Sequence, residues 1–233
     1  MNQITLNLVA IAIFSITMTS LIGPLVGISP VVPALITFGL MGAATVDTLS
    51  LQGRGGTLLI DGLAQFSPEH RERVIRHEAG HFLIAHLMDI PVTDYTLTAW
   101  EALRQGQPGR GGVTFDTQEL EQQVARGELP AQLVDRYGAV WMAGIAAEQL
   151  TYGNAQGGND DRQKFHILWQ QIQRPQAECE VKLRWSALKA RTLLESHRPA
   201  YEALVEAMTQ RRPVADCIEL VQRSLSPSPS PTV

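Results

Sequence analysis

The chain has 233 residues, 45% of them hydrophobic, and a formal net charge of −4. That length suits one ordinary domain plus an extra segment, and the mild acidity, without a basic run, argues against nucleic acid as a partner. The two cysteines, Cys179 and Cys217, lie far apart without a CxxC partner, which argues against a cysteine zinc site or a disulfide scaffold and leaves two buried structural thiols.

No charged residue precedes Asp47. Two apolar runs, Ile4 to Ile22 and Ile28 to Val46, flank a Gly/Pro punctuation, "GPLVG". At about 19 residues each they would reach roughly 28 Å as helices, close to a bilayer's hydrocarbon thickness. Pro30 and Pro33 fall near the start of the second run, where a helix tolerates them. A cleaved signal peptide needs a basic n-region, and none is present. The expectation is a transmembrane hairpin over residues 1–50, in contact with membrane lipid. The first basic residues beyond it are Arg54, Arg71, Arg73 and Arg76. The positive-inside tendency puts the C-terminal part on the cytoplasmic or stromal-equivalent side.

Residues 51–66 read as a linker, with a short strand at Thr57 to Ile60. A helix is expected from Ser67 through "SPEHRERVIRHEAGHFLIAHLMDI", with Ser67 as N-cap and Pro68 in the first position. "PVTDYTLTAW" (Pro91 to Trp100) reads as a strand, "EALRQGQPGRG" as a polar loop and "GVTFD" as a second strand. Helical patterns follow from Leu129 to Tyr152, over "DRQKFHILWQQIQ", and over two segments ending at His197 and Gln210. Trp141 and Trp185 occupy apolar helical positions and are expected in the core. Residues 67–223 thus form the soluble domain, and 224–233, a Ser/Pro tail, are expected to be disordered. The fold class is mainly α with a small β-sheet (α+β).

"HEAGH" carries the chemistry. His77 and His81 are i and i+4 on one helix, so both imidazoles reach one ion, and Glu78 stands beside them as a base. Zinc suits this pair, because it accepts imidazole and acidifies its water toward pH ~7. Glu78 would take the water's proton and pass it to the leaving amine of a peptide bond. Gly80, mid-helix, implies close packing. A catalytic zinc wants a third protein ligand. Glu148, Asp160, Asp161 and His166 are the candidates, and spacing does not choose among them.

Several segments, in order, resemble the peptidase domain of the FtsH-type membrane-bound zinc metalloproteases, peptidase family M41. They are "HEAGHFLIAHL", "GRGGVTF", "LVDRYGAVWMAGIAAEQLTYG", "GGNDDRQK" and the closing helices from Glu180 to Met208. The resemblance spans most of Ser67 to Val221 and implies a zincin-like HExxH helix domain holding one Zn²⁺ per chain. It implies His77, His81 and Asp160 as ligands, Glu78 as base, and Glu148 as either a carboxylate orienting a ligand or a helix-packing contact. The stretch "GQPGRGGVTF" reads either as an ordinary hairpin loop or, as preferred for Gly112, Val113, Thr114 and Phe115, as a substrate-facing edge where an extended peptide adds by β-augmentation.

The family's ATPase module has no counterpart here. None of the three lysines, Lys164, Lys182 and Lys189, follows a glycine as in a Walker A loop, and Ile145 replaces an arginine of the family's GGRAAEE-type motif. The expected function is therefore a membrane-anchored zinc metalloendopeptidase that cuts unfolded or membrane-proximal protein segments without ATP of its own. A homo-oligomer or a separate AAA unfoldase would assist it. One alternative is an inactive scaffold for membrane complexes. The other is a site-2-type intramembrane protease, disfavoured because Glu69, Arg71, Glu72, Arg73 and Arg76 precede the HEAGH histidines.

Overall fold

The computed structural model describes residues 3–50, 55–56, 62, 67–107, 111–127 and 129–225. It is mainly helical (78%) with one two-stranded sheet. The chain divides into two compact units: Met1–Pro68 with Thr98–Arg110, and Glu69–Leu97 with Gly111–Val233. The strand expected at Thr57 to Ile60 and the tail beyond Leu225 lie outside the described residues.

In the first unit, α1 (Gln3–Ile22) and α2 (Val31–Ser50) pack against each other through a single 3₁₀ turn, Gly23–Val26. The turn ends at Gly27, whose φ of 80° suits glycine. Ile11, Ile13 and Phe14 of α1, and Leu35, Phe38 and Met41 of α2, are exposed. The hydroxyls of Thr17, Thr19, Thr37 and Thr45 each donate to the carbonyl four residues back, so they hide their polarity within the helix. Among the described residues only one segment, Val9–Val26, is long and apolar enough to cross a membrane; the apolar part of α2, Val31–Asp47, is shorter. Asp47, the first charged side chain, accepts from the N–H groups of Gly55 and Gly56 at 2.7 and 2.8 Å. The start of the expected polar loop is instead part of a short helix, α4 (Ala99–Arg104). Thr98 caps it by accepting from Glu101 N–H at 3.1 Å.

The second unit holds the HEAGH helix, α3 (Pro68–Leu87), then β1 (Val92–Tyr95) and β2 (Val113–Phe115). Helices α5 (Gln118–Arg126), α6 (Ala131–Tyr152), α7 (Asn159–Gln171), α8 (Gln176–Ser196), α9 (Arg198–Thr209) and α10 (Val214–Leu225) follow. The first strand is shorter than expected, because Thr98 turns the chain into α4. Ser224 and Leu225, expected in the disordered tail, are helical and end α10. The strands pair antiparallel, Tyr95 opposite Val113 and Val92 opposite Phe115, with an irregularity at Thr93.

Helix α6 is the centre of this unit. It is buried almost continuously from Leu133 to Glu148 and packs along α8. Its small residues let α3 approach closely. A Cβ on Gly80 would stand 2.8 Å from both the Ala143 carbonyl oxygen and the Ala147 side chain, which is the packing reason for a glycine in mid-helix. Gly144, one residue along, faces the His77 ring so tightly that no side chain fits. Trp141 is buried against Tyr137 and Phe165, as expected. Trp185, also expected in the core, is instead 64% exposed. Cys179 and Cys217 are free and buried.

Candidate metal centre

His77 and His81 lie one turn apart on α3, both buried, with ring centroids 4.8 Å apart. Their outer nitrogens are already engaged. His81 Nδ1 lies 2.7 Å from the Val140 carbonyl oxygen, an atom that only accepts, so Nδ1 carries the proton. His77 Nδ1 lies 2.7 Å from Glu148 Oε1 and donates in the same way. Each contact leaves Nε2 turned toward one point, the arrangement a metal-ligating histidine needs.

The third group at that point is Asp161, not Asp160. Asp161 Oδ2 lies 3.3 Å from Nε2 of His77 and 3.3 Å from Nε2 of His81. Asp161 is buried and Asp160 is exposed. The cause is helix register: α7 begins at Asn159, and neighbouring helical residues diverge by ~100°, so only one of the pair can face α3. The three ligand atoms lie within 4.8 Å of one another. A tetrahedral zinc with bonds of about 2.0–2.1 Å has ligand–ligand edges of about 3.3–3.4 Å, which the two 3.3 Å distances from Asp161 to the imidazoles match. His166, the other fallback ligand, instead faces α8, where its Nδ1 lies 3.3 Å from Cys179 Sγ.

Glu148 is buried within the apolar helix but fully partnered. It accepts from His77 at 2.7 Å, Arg73 at 3.0 Å, and the N–H groups of Gln156 and Gly157 at 2.8 and 3.1 Å. The orienting carboxylate and the loop before α7 are thereby tied together, and α7 is the helix that delivers Asp161. Arg73, one turn before His77, also donates to the Asn154 carbonyl at 3.3 Å and stacks over the Tyr152 ring at 4.0 Å. Within a run of charged residues nothing in the sequence marked Arg73 as buried.

Glu78 is half-buried, and its Oε2 accepts from the Val113 N–H at 2.9 Å. Gly112 alongside has a φ of 127°, and a Cβ there would come within 3.0 Å of the same oxygen. Thr96 N–H donates to the Gly112 carbonyl at 3.0 Å. By the alternation of an antiparallel pair, Val113 and Phe115 then turn their backbone groups away from β1. The outer edge of β2 therefore runs past Glu78. Thr114 is exposed.

Burial alone would lower the His77 pKa, but hydrogen bonds to Asp161 and Glu148 outweigh it and push it up to about 10. Burial would raise Glu148, but the hydrogen bonds from His77, the Gln156 N–H and Arg73 bring it down to about 2. Burial likewise opposes ionisation of Asp161, yet the two imidazoles and Lys164 hold its carboxyl well below the usual range. Without metal, a proton on His77 thus holds the two carboxylates together. The stability this proton contributes is complete below the unfolded histidine pKa of ~6.5 and is lost as pH rises toward 10. The Glu148 contribution is present above ~4.5 and is lost as pH falls toward 2. Chelator-treated protein is expected to melt at a lower temperature at pH 9 than at pH 6, with a slope of up to ~1.4 kcal/mol per pH unit. Thermal denaturation followed by circular dichroism measures it; equal melting temperatures would remove the charged His77 from the metal-free state.

The sequence matches no protein-family model, and no curated protein matches it.

Proposed function

We propose that the chain is a membrane-anchored zinc metalloendopeptidase with a zincin-like peptidase domain resembling family M41. The observation that carries this reading is the buried His77, His81 and Asp161 triangle with Glu78 on the adjoining residue of the same helix. Bound zinc would supply a Lewis acid and a water acidified toward neutrality. His77, His81 and Asp161 would hold the ion, and Glu148 fixes the His77 ring. Glu78 accepts the proton of the attacking water and returns it to the leaving amine. The outer edge of β2, at Val113 and Phe115, aligns the backbone of an extended substrate beside Glu78.

In this reading α1 and α2 form the membrane hairpin, and the peptidase domain lies on the cytoplasmic or stromal-equivalent side. The anchor limits substrates to segments near the bilayer. In this reading the peptidase cuts chains that are already unfolded, or receives them from a separate AAA unfoldase. The test is cleavage of casein, a disordered substrate, by purified protein stripped with chelator and reloaded with zinc. Cleavage is expected only after reloading. Zinc-loaded protein that leaves casein intact, alongside intact binding of one zinc per chain, would replace the peptidase by the scaffold reading.

A further inference from the structure

Arg73 precedes His77 by one turn of α3, at i−4, so both side chains leave the same face. It is buried, while Glu69, Arg71 and Glu72 around it are exposed. A guanidinium is costly to bury and stays inside only where partners meet it. Three hydrogen bonds leave one nitrogen, Nη1. They reach Glu148 Oε2 at 3.0 Å, the Asn154 carbonyl oxygen at 3.3 Å and Asn154 Oδ1 at 3.1 Å. With the Tyr152 ring beneath the guanidinium, one side chain of α3 grips the end of α6 and the loop that follows it.

Both attachments lead to the metal centre. Glu148 divides its oxygens: Oε1 accepts from His77 Nδ1 and the Gly157 N–H, and Oε2 accepts from Arg73 and the Gln156 N–H. Arg73 thereby sets the tilt of the carboxylate whose other oxygen orients His77. Asn154 lies five residues before Asn159, where α7 begins. Holding it fixes where α7 starts, and so which of Asp160 and Asp161 meets the imidazoles. We propose that Arg73 is the positioning residue of the metal centre, aligning two of its three ligands, His77 and Asp161, through Glu148 and Asn154. The proposal rests on the metal centre of the proposed function and not on peptide hydrolysis.

The experiment measures zinc affinity of the full chain in detergent micelles, by competition with a chromogenic chelator. It also records the visible spectrum with cobalt(II) in place of zinc, because that spectrum reports coordination geometry, which loss of a merely structural contact leaves alone. Arg73→Met keeps an apolar stem without donors and is expected to weaken zinc binding about 10–100-fold, and to diminish the four-coordinate cobalt bands. Arg73→Lys should recover most of the affinity, since an ammonium offers three donors from one nitrogen. Arg76→Met removes the ion pairs to Glu72 and Glu202 from the same helix and is expected to leave zinc affinity and the cobalt spectrum unchanged. Asn154→Ala, a change on an exposed loop, removes one of the three acceptors and should weaken zinc about threefold or more, which keeps the test open should Arg73→Met fail to fold. Wild-type zinc affinity in Arg73→Met or in Asn154→Ala, an equal loss in Arg76→Met, or no recovery in Arg73→Lys would each overturn the proposal. Both readouts need no substrate, so failure of the proposal shows in zinc binding, whereas failure of the peptidase reading shows as intact casein.

Discussion

Replacing Asp161 with alanine is expected to strip zinc from the protein, while Asp160→Ala leaves one zinc per chain in place. Asp161 supplies the carboxylate oxygen that lies 3.3 Å from both imidazole nitrogens, whereas Asp160 points to solvent. Losing one of three protein ligands should weaken zinc binding by at least ~100-fold, since even a lost hydrogen bond to a ligand costs 10–100-fold. Because Asp161 also sits in the first turn of α7, alanine there removes a favourable helix-dipole contact of about 0.3–1 kcal/mol. Asp160 shares that turn, so Asp160→Ala controls for the dipole effect. Zinc per chain, measured after competition with a chromogenic chelator, decides the matter. Zinc lost from Asp160→Ala and kept by Asp161→Ala would mean that α7 has the other register in solution.

Glu78→Gln is expected to keep the zinc and the fold and to lose hydrolysis. The glutamine carbonyl can still accept the Val113 N–H that Glu78 Oε2 now accepts at 2.9 Å, so β2 stays in place. What disappears is the proton acceptor. Removing a general base lowers turnover by about 10²–10⁴-fold, or ~3–5 kcal/mol of barrier. Measured on a fluorogenic peptide, kcat should fall while zinc content and melting temperature hold. A variant as active as wild type would remove Glu78 from the chemistry. Val113 offers a second check, because its N–H orients the carboxylate. Proline there would free the Glu78 oxygen and break the edge strand together.

Much of the site was legible in the order of residues. The i, i+4 spacing of His77 and His81 on a helix is a local property, and local geometry is what a sequence states most directly. Glu148 was conspicuous for a similar reason: a carboxylate amid "AGIAAEQL" must find partners or stay out of the core. The same local logic carried the helical segments with strong apolar periodicity. It did not reveal α5 or α10, whose short amphipathic patterns flank loops, nor the Thr98-capped α4.

By itself the sequence determined the two histidines, the carboxylate beside them, an uncharged N-terminal stretch and a mainly helical domain with a small sheet. Each follows from spacing or composition within a few turns of chain. Only the tertiary structure decided between Asp160 and Asp161, because both satisfy the spacing and the choice depends on how α7 is rotated against α3. It alone placed Arg73 inside, since a guanidinium in a charged run is buried only when a partner such as Glu148 arrives from 75 residues away. It alone turned Trp185 outward, because α8 offers an apolar residue on each face and α6 can cover only one. These are contacts between distant segments, and no pattern within either segment encodes which face the other will meet.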